Sequence, residues 1–216
     1  MRLILVIAAA VVPAVAASAA PIISNGSFEL GVAPANGQFS TLGTGSTDIT
    51  DWAVSGGAQA IDYISGYWQA EDGSRSIDMD GTNTLGTISQ VVALPQAGSY
   101  QISLYMSGNP DGPPTVKEIT ATVQQGANTY TQTFSYDMSV YNPSLSKTNM
   151  NYQLMTWTVP ASLAPGSATV SFSGANGTSW GGVIDNVGMT VIPEPTTVTG
   201  VMFVAASGMM LRRRRA

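Results

Sequence analysis

The sequence contains no histidine and no cysteine among its 216 residues. Without histidine, Ser–His–Asp and Cys–His nucleophilic catalysis are excluded, and without either residue almost all zinc chemistry is excluded as well. Without cysteine, the chain forms no disulfide bonds. A folded exported domain of this composition therefore depends on packing, or on a metal ion held by oxygen ligands.

Charge is also scarce, because Asp, Glu, Lys and Arg make up only 10% of the chain. Between the two ends, residues 20–191 contain twelve acidic residues and only three basic ones, Arg75, Lys117 and Lys147. This acidic balance argues against nucleic acid and anionic lipid as partners of that segment. It is compatible with neutral glycans and with divalent cations.

Amphipathic helical patterns are nearly absent from residues 20–191, which have the length of one domain. Short runs instead alternate apolar and polar residues, and Gly, Asn, Asp and Pro clusters separate them. About ten strands with no crossover helix predict an all-β fold, a two-sheet jelly-roll β-sandwich. The predicted strands are Ile49–Val54, Ala60–Tyr63, Ser76–Met79, Ile88–Leu94, Tyr100–Met106, 119–123, Tyr130–Tyr136, Met155–Val159, Ala168–Phe172 and Val183–Val191.

The amino terminus has the features of a secretory signal peptide. Arg2 precedes a short apolar run, and the small residues Ala17 and Ala19 occupy the positions that signal peptidase reads. We therefore predict that residues 1–19 form a signal peptide that is removed after Ala19.

The carboxyl terminus combines three features in a fixed order. Pro193, Glu194 and Pro195 precede an uncharged apolar stretch, Thr196–Leu211. As a helix this stretch would be about 24 Å long, which is short for a transmembrane helix but sufficient if the bilayer thins locally. The cluster of Arg212, Arg213, Arg214 and Arg215 that follows would stay on the cytoplasmic side.

Residues 192–216 closely resemble the PEP-CTERM sorting signal of Gram-negative bacteria that make extracellular polysaccharide. The resemblance implies transient residence in the inner membrane and processing near Pro193–Pro195 by an exosortase. It further implies a final location at the cell surface or in the extracellular matrix.

The stretch 61–81 concentrates aromatic and acidic residues, with Tyr67, Trp68 and Arg75 among them. Aromatic faces can stack on the C–H face of a sugar ring while nearby polar groups bind its hydroxyls. In the alternative interpretation the aromatic residues belong to the core and the acidic residues to a solvated turn. Long loops are predicted at Gly31–Thr47 and Met138–Met150. The candidate sugar contacts are Tyr67, Trp68, Trp180, Asn109, Asp111 and Arg75.

Asp185 lies in strand phase with Val187, Met189 and Val191, residues that should face the core. A carboxylate in that phase is costly to bury unless it is paired or binds a metal ion. Glu29, near the start of the domain, is the second candidate ligand of one structural Ca²⁺. In the alternative, Asp185 lies at a bulge and accepts backbone N–H bonds.

Two carboxylates can hydrolyse a glycoside, and Asp62, Glu71, Asp72 and Asp78 are formally available. Asp78 and Asp80, however, alternate with Ile77 and Met79, which predicts that both lie on the exposed face of a strand. No recognisable glycosidase pair is present, and we expect no catalysis.

Seven motifs occur along residues 25–187: NGSFE (25–29), DWAV (51–54), IDYI (61–64), YWQAEDGSRSIDMDG (67–81), ISQ (88–90), GNPDGPP (108–114) and IDNV (184–187). In this order they resemble the choice-of-anchor C family, which is related to the DUF642 proteins of plant cell walls. The family in turn resembles galactose-binding-like jelly rolls, and the resemblance implies a structural Ca²⁺ near both termini, which such modules often hold.

The sequence therefore predicts an exported, non-catalytic protein that binds extracellular polysaccharide. Signal peptidase and an exosortase would be its partners during export. One alternative is a structural matrix protein that acts through protein contacts or self-association. The other is a glycan hydrolase or lyase.

Overall fold

A computed structural model describes residues 21–34, 37–141 and 146–193. The signal peptide predicted at 1–19, the apolar stretch Thr196–Leu211 and the arginine cluster lie outside these residues. Across the three described ranges, no helix is both long and apolar enough to cross a membrane.

The described chain contains eleven strands and one helical turn. The elements are β1 (Phe39–Leu42), β2 (Ala53–Ser55), β3 (Ile61–Ser65), β4 (Arg75–Asp78), β5 (Thr87–Leu94), β6 (Tyr100–Gly108), β7 (Val116–Gln125), β8 (Asn128–Asp137), α1 (Met138–Tyr141), β9 (Gln153–Thr158), β10 (Gly166–Gly174) and β11 (Gly182–Val191).

The strands form two antiparallel sheets. The six-stranded sheet has the order β1-β3-β4-β11-β6-β9, and the five-stranded sheet has the order β2-β5-β10-β7-β8. The two sheets pack face to face around one core, which confirms the predicted all-β, two-sheet sandwich.

Alternating side chains fill the space between the sheets. Ile102, Leu104 and Met106 of β6 are fully buried, as the period-two pattern predicts. Trp52 and Trp157 also lie in this core. Burying one large apolar side chain stabilises a fold by about 1.5–3 kcal/mol, and this core contains more than thirty buried apolar residues.

Two segments differ from the sequence prediction. The predicted loop Gly31–Thr47 contains β1, whose Phe39–Leu42 pairs with β3 and forms one edge of the larger sheet. The predicted strand Ile49–Val54 is mostly irregular, because Asp51 adopts a positive φ of 69° and only Ala53–Ser55 pairs as β2.

The outer face of the six-stranded sheet is covered by loops and is not bare. Ile64, Trp68, Met150 and Val183 form a second apolar cluster there. The predicted exposure of Asp78 and Asp80 is wrong, because both are completely buried. Asp78 faces these loops, whereas Asp80 follows the end of β4 and lies beside the segment that joins β10 to β11. Strand alternation predicted the correct side of the sheet for Asp78, and the loops after β6 and before β11 cover that side.

Candidate functional site

A cavity of about 210 Å³ opens on the outer face of the six-stranded sheet. Strands β1 and β3 supply its floor, and the loops after β3, β4 and β6 and before β11 supply its walls. Its lining combines aromatic rings, hydroxyls, amides and carboxylates. The lining residues are Phe39, Thr41, Asp62, Ile64, Tyr67, Trp68, Gly81, Thr82, Asn109, Asp111, Ser179 and Trp180.

A larger groove of about 470 Å³ runs beside β5. Gln90 and Val91 are in its wall, and no aromatic side chain lines it. Because sugar rings are held by aromatic faces together with convergent polar groups, the smaller cavity is the better candidate site.

Of the six sugar contacts predicted from the sequence, five line this cavity. Tyr67, Asn109, Asp111 and Trp180 lie in its walls. Trp68 contributes to the lining but is buried, and its indole Nε1 donates a 2.9 Å hydrogen bond to Ser76 Oγ. Trp68 therefore supports the wall and offers no open face.

The sixth predicted contact, Arg75, lies outside the cavity lining. Its guanidinium is 5.4 Å from the centroid of the Tyr63 ring, and it donates hydrogen bonds to the Tyr63 hydroxyl and to the carbonyl of Gly31. Tyr63 in turn donates to the carbonyl of Phe28. This arrangement ties the amino-terminal segment to the sheet.

Two carboxylates face each other across neighbouring strands at the floor. Asp62 of β3 is the register partner of Asp78 of β4. Like charges placed opposite each other destabilise a sheet, and burial raises the pKa of both groups above the usual range. Thr41 Oγ1 donates a 2.6 Å hydrogen bond to Asp62 Oδ1 and partly offsets this cost.

A chain of hydrogen bonds connects the buried floor to the exposed rim. Asn109 Nδ2 donates to Asp78 Oδ2 at 2.7 Å, and the backbone N–H of Asp111 donates to Asn109 Oδ1 at 2.9 Å. The Tyr67 hydroxyl then donates to Asp111 Oδ2 at 2.6 Å. Asn109 and Asp111 are two of the candidate sugar contacts predicted from the sequence. The structure uses them to fix the position of Tyr67.

Tyr67 is enclosed on several sides. The ammonium of Lys147 is 3.7 Å from the ring centroid, and it also forms an ion pair with Asp111 at 3.1 Å. Hydrogen bonding to Tyr67 and Asp111 raises the pKa of Lys147. Phe39 meets the ring edge-on at 5.1 Å. One face of Tyr67 is therefore already occupied by a cation.

Trp180 is an exposed aromatic wall of the cavity, with 38% of its surface exposed, and Phe39 of β1 is exposed to a similar extent, 40%. A Cβ placed on Gly112 would lie 2.3 Å from Trp180 Cδ2, so only glycine lets the loop after β6 pack this closely against the indole. The exposed part of Trp180 contributes to the lining of the cavity.

Lys117 holds the two walls together from below. It is completely buried, and its ammonium donates to the carbonyls of Gly112, at 2.8 Å, and of Trp180. Burial lowers the pKa of Lys117 to about 8.

Nearby Asp80 is also buried, and neither carboxylate oxygen has a hydrogen-bond partner among the described residues. Burial raises the pKa of Asp80 to about 6, although backbone amides of residues 176–178 lie close enough to oppose the shift.

The two candidate calcium ligands contact the same loop. Glu29 accepts backbone N–H bonds from Ser74 and Arg75 at 2.8 and 2.7 Å. Asp185 accepts them from Glu71 and Asp72 at 2.8 and 3.0 Å. In the described part of the chain, no group of three or more acidic, histidine or cysteine side chains could hold a metal ion.

The phase assigned to Asp185 from the sequence is wrong. The register of β11 shifts between Asp185 and Gly188, where Asn186 adopts a positive φ of 46°. Ile184, Val187 and Met189 therefore face the core, and Asp185 faces the other side. Asp185 lies at a bulge and accepts backbone N–H bonds, as the alternative interpretation stated, and burial raises its pKa to about 7.

Several lining residues were not named as sugar contacts from the sequence. Phe39 and Thr41 were missed because β1 was interpreted as loop, and Asp62 was weighed only as a catalytic acid. Thr82 and Ser179 come from separate loops with no distinguishing motif. Only the strand register, which places Asp62 between Thr41 and Asp78, could have indicated part of this set.

Comparison with known proteins gives a family and a fold. Residues 21–190 match the family model described as "Protein of unknown function (DUF642)". Halomucin of Haloquadratum walsbyi is 36% identical over 110 residues, which span 50% of this chain and 1% of halomucin. The structure of TmCBM61 in complex with β-1,4-galactotriose superposes with a TM-score of 0.52 at 18% identity. The superposition covers 81% of this chain and 100% of the TmCBM61 chain. At that identity, the likeness shows a shared β-sandwich fold.

Proposed function

The chain belongs to the DUF642 family, and from that premise and the geometry of the cavity we propose that it binds polysaccharide without altering it. The observation that carries the proposal is the cavity itself, where an open indole stands beside hydroxyl, amide and carboxylate groups that are already held in place. Preorganised polar groups beside an aromatic face suit a ring that has both C–H surfaces and hydroxyls.

A non-catalytic role is supported by the state of the two paired carboxylates. A glycosidase needs both of its carboxyl groups to reach the scissile bond. Asp78 is completely buried and accepts hydrogen bonds from Asn109, Asp80 and Gly181, so only Asp62 is available to a ligand.

We further propose that the sandwich is a galactose-binding-like jelly roll of the choice-of-anchor C type, exported as a PEP-CTERM protein. Signal peptidase would remove the amino-terminal segment, and the protein would then reside transiently in the inner membrane. Processing by an exosortase would leave it at the surface or in the extracellular matrix of a Gram-negative cell. The sequences of residues 1–19 and 192–216 support this route.

The experiment that tests the binding proposal is a calorimetric titration of the folded domain, residues 20–192. Extracted exopolysaccharide, β-1,4-galactan and cello-oligosaccharides would be the ligands. We expect saturable binding to at least one glycan with no release of reducing ends. A lack of binding to every glycan would contradict the proposal, and so would release of reducing ends.

A structural Ca²⁺ is a separate part of the proposal. Glu29 and Asp185 come from the two ends of the domain and meet the loop 71–75, so a cation there would join both ends. Buried Asp185 is an oxygen ligand of the kind that Ca²⁺ takes, and backbone carbonyls would complete the coordination.

EDTA is expected to lower the melting temperature of the wild-type domain, because removal of the ion would leave the buried Asp185 carboxylate without a compensating charge. The Asp185→Ala variant should melt at the same temperature with and without EDTA. Thermal unfolding followed by circular dichroism measures both. An unchanged wild-type melting temperature in EDTA would contradict the calcium proposal.

A further inference from the structure

We propose that the cavity selects neutral sugar residues over uronic acids, with Asp62 accepting hydrogen bonds from the sugar hydroxyls. This inference rests on the proposed function and adds to it the chemical class of the ligand.

The Asp62 carboxylate can accept further hydrogen bonds from a ligand in the cavity. It lines the cavity from β3 and is only partly buried. Thr41 Oγ1 donates to its Oδ1 and fixes the carboxylate, while Oδ2 accepts no hydrogen bond from the described residues. A carboxylate can accept about four hydrogen bonds, and a sugar with vicinal hydroxyls offers donors at that spacing.

The charges around Asp62 are not balanced by cations that a ligand could use. Asp78 lies opposite it in register, and Asp111 stands on the rim. Lys147 is already paired with Asp111 and positioned over Tyr67. Lys117 is buried, and its ammonium donates hydrogen bonds to the backbone carbonyls of Gly112 and Trp180.

A uronic acid would therefore bring its carboxylate close to Asp62 and Asp78, and no Lys or Arg is among the described residues that line the cavity. Lys147 is already paired with Asp111 and lies over the Tyr67 ring, so a uronate that reached its ammonium would also lie beside the Asp111 carboxylate. A neutral sugar brings no negative charge near these carboxylates, and its hydroxyls can donate hydrogen bonds to Asp62.

The test compares the affinity for each neutral glycan with the affinity for its C6-oxidised, negatively charged derivative. The C6 hydroxyls of β-1,4-galactan and of cello-oligosaccharides are oxidised to carboxylates, and a portion of each product is then methyl-esterified to restore neutrality. Dissociation constants for the full-length chain are measured at pH 7.5 and low salt. We expect the oxidised glycan to bind at least tenfold more weakly than the parent, and esterification to recover most of that loss.

Asp62→Asn should weaken binding of the neutral glycan and narrow the ratio between the neutral and oxidised forms. The matched control is Glu118→Gln, which removes one negative charge from the opposite sheet and should leave the ratio unchanged.

Equal or tighter binding of the oxidised glycan would overturn this inference while leaving the proposed function intact. So would an unchanged ratio in Asp62→Asn. If neither the neutral nor the oxidised form of any glycan binds, the proposed function fails, and the inference fails with it.

Discussion

Replacement of Trp180 by alanine is expected to weaken glycan binding about thirtyfold, a loss of about 2 kcal/mol, without unfolding the domain. Trp180 is the one sugar contact predicted from the sequence whose ring remains open in the cavity. Tyr67 is capped by Lys147, and Trp68 is buried. The loss should appear in the dissociation constant, while the melting temperature changes by only a few degrees.

The matched control is Tyr141→Ala, which removes an aromatic ring of similar exposure outside the cavity. Tyr141 is 41% exposed, close to the 38% of Trp180, but it packs against Tyr136 and does not line the cavity. The control variant should bind like the wild type. If both variants lose the same affinity, or if Trp180→Ala loses none, the indole is not the sugar platform.

The second large effect concerns pH. We expect the domain to be more stable at pH 5 than at pH 7.5, by about 3 kcal/mol in the free energy of unfolding. Burial raises the pKa of Asp80 to about 6 and that of Asp185 to about 7, and it raises the pKa of Asp62 and Asp78 as well.

The sign follows from proton counting. Between about pH 4, where these carboxyls titrate in the unfolded chain, and pH 6–7, the folded state holds more protons than the unfolded state. Stability therefore falls as the pH rises through that window. Lys117 acts in the opposite direction, because its folded pKa of about 8 is below its ordinary value, so stability recovers at more alkaline pH. A shallow minimum is expected between pH 7 and 8.

Urea denaturation in EDTA across pH 4.5–9 measures this profile without interference from divalent cations. Asp80→Asn should raise the free energy of unfolding at pH 7.5 by about 2 kcal/mol and flatten the slope, because it replaces a buried charge that has no hydrogen-bond partner. Asp51→Asn, a change at an exposed carboxylate, is the control. A profile that rises from pH 5 to pH 7.5 would show that these groups are not buried as charges.

The sequence was sufficient for the sandwich because alternation and turn residues are local signals. It was also sufficient to name Tyr67, Asn109, Asp111 and Trp180 as candidate contacts, since loop aromatics and polar turn residues are visible in the chain. It could not show that Lys147 caps Tyr67, because the contact joins loops far apart in sequence.

Two errors share one physical cause. Asp80 was expected to be exposed, and Asp185 was expected to face the core, because strand alternation was continued without a break. Alternation fixes the face of a residue only until a bulge resets it, and it does not say whether a loop covers that face. The bulge after Asp185 and the burial of Asp80 beside residues 176–178 depend on contacts between distant segments.

The most direct test of the binding claim is a crystal structure of residues 20–192 soaked with β-1,4-galacto-oligosaccharide. The account predicts a sugar ring in the cavity, stacked on Trp180 and hydrogen-bonded to Asp62. A ligand found instead in the larger groove beside Gln90 and Val91, with the Trp180 cavity empty, would contradict it.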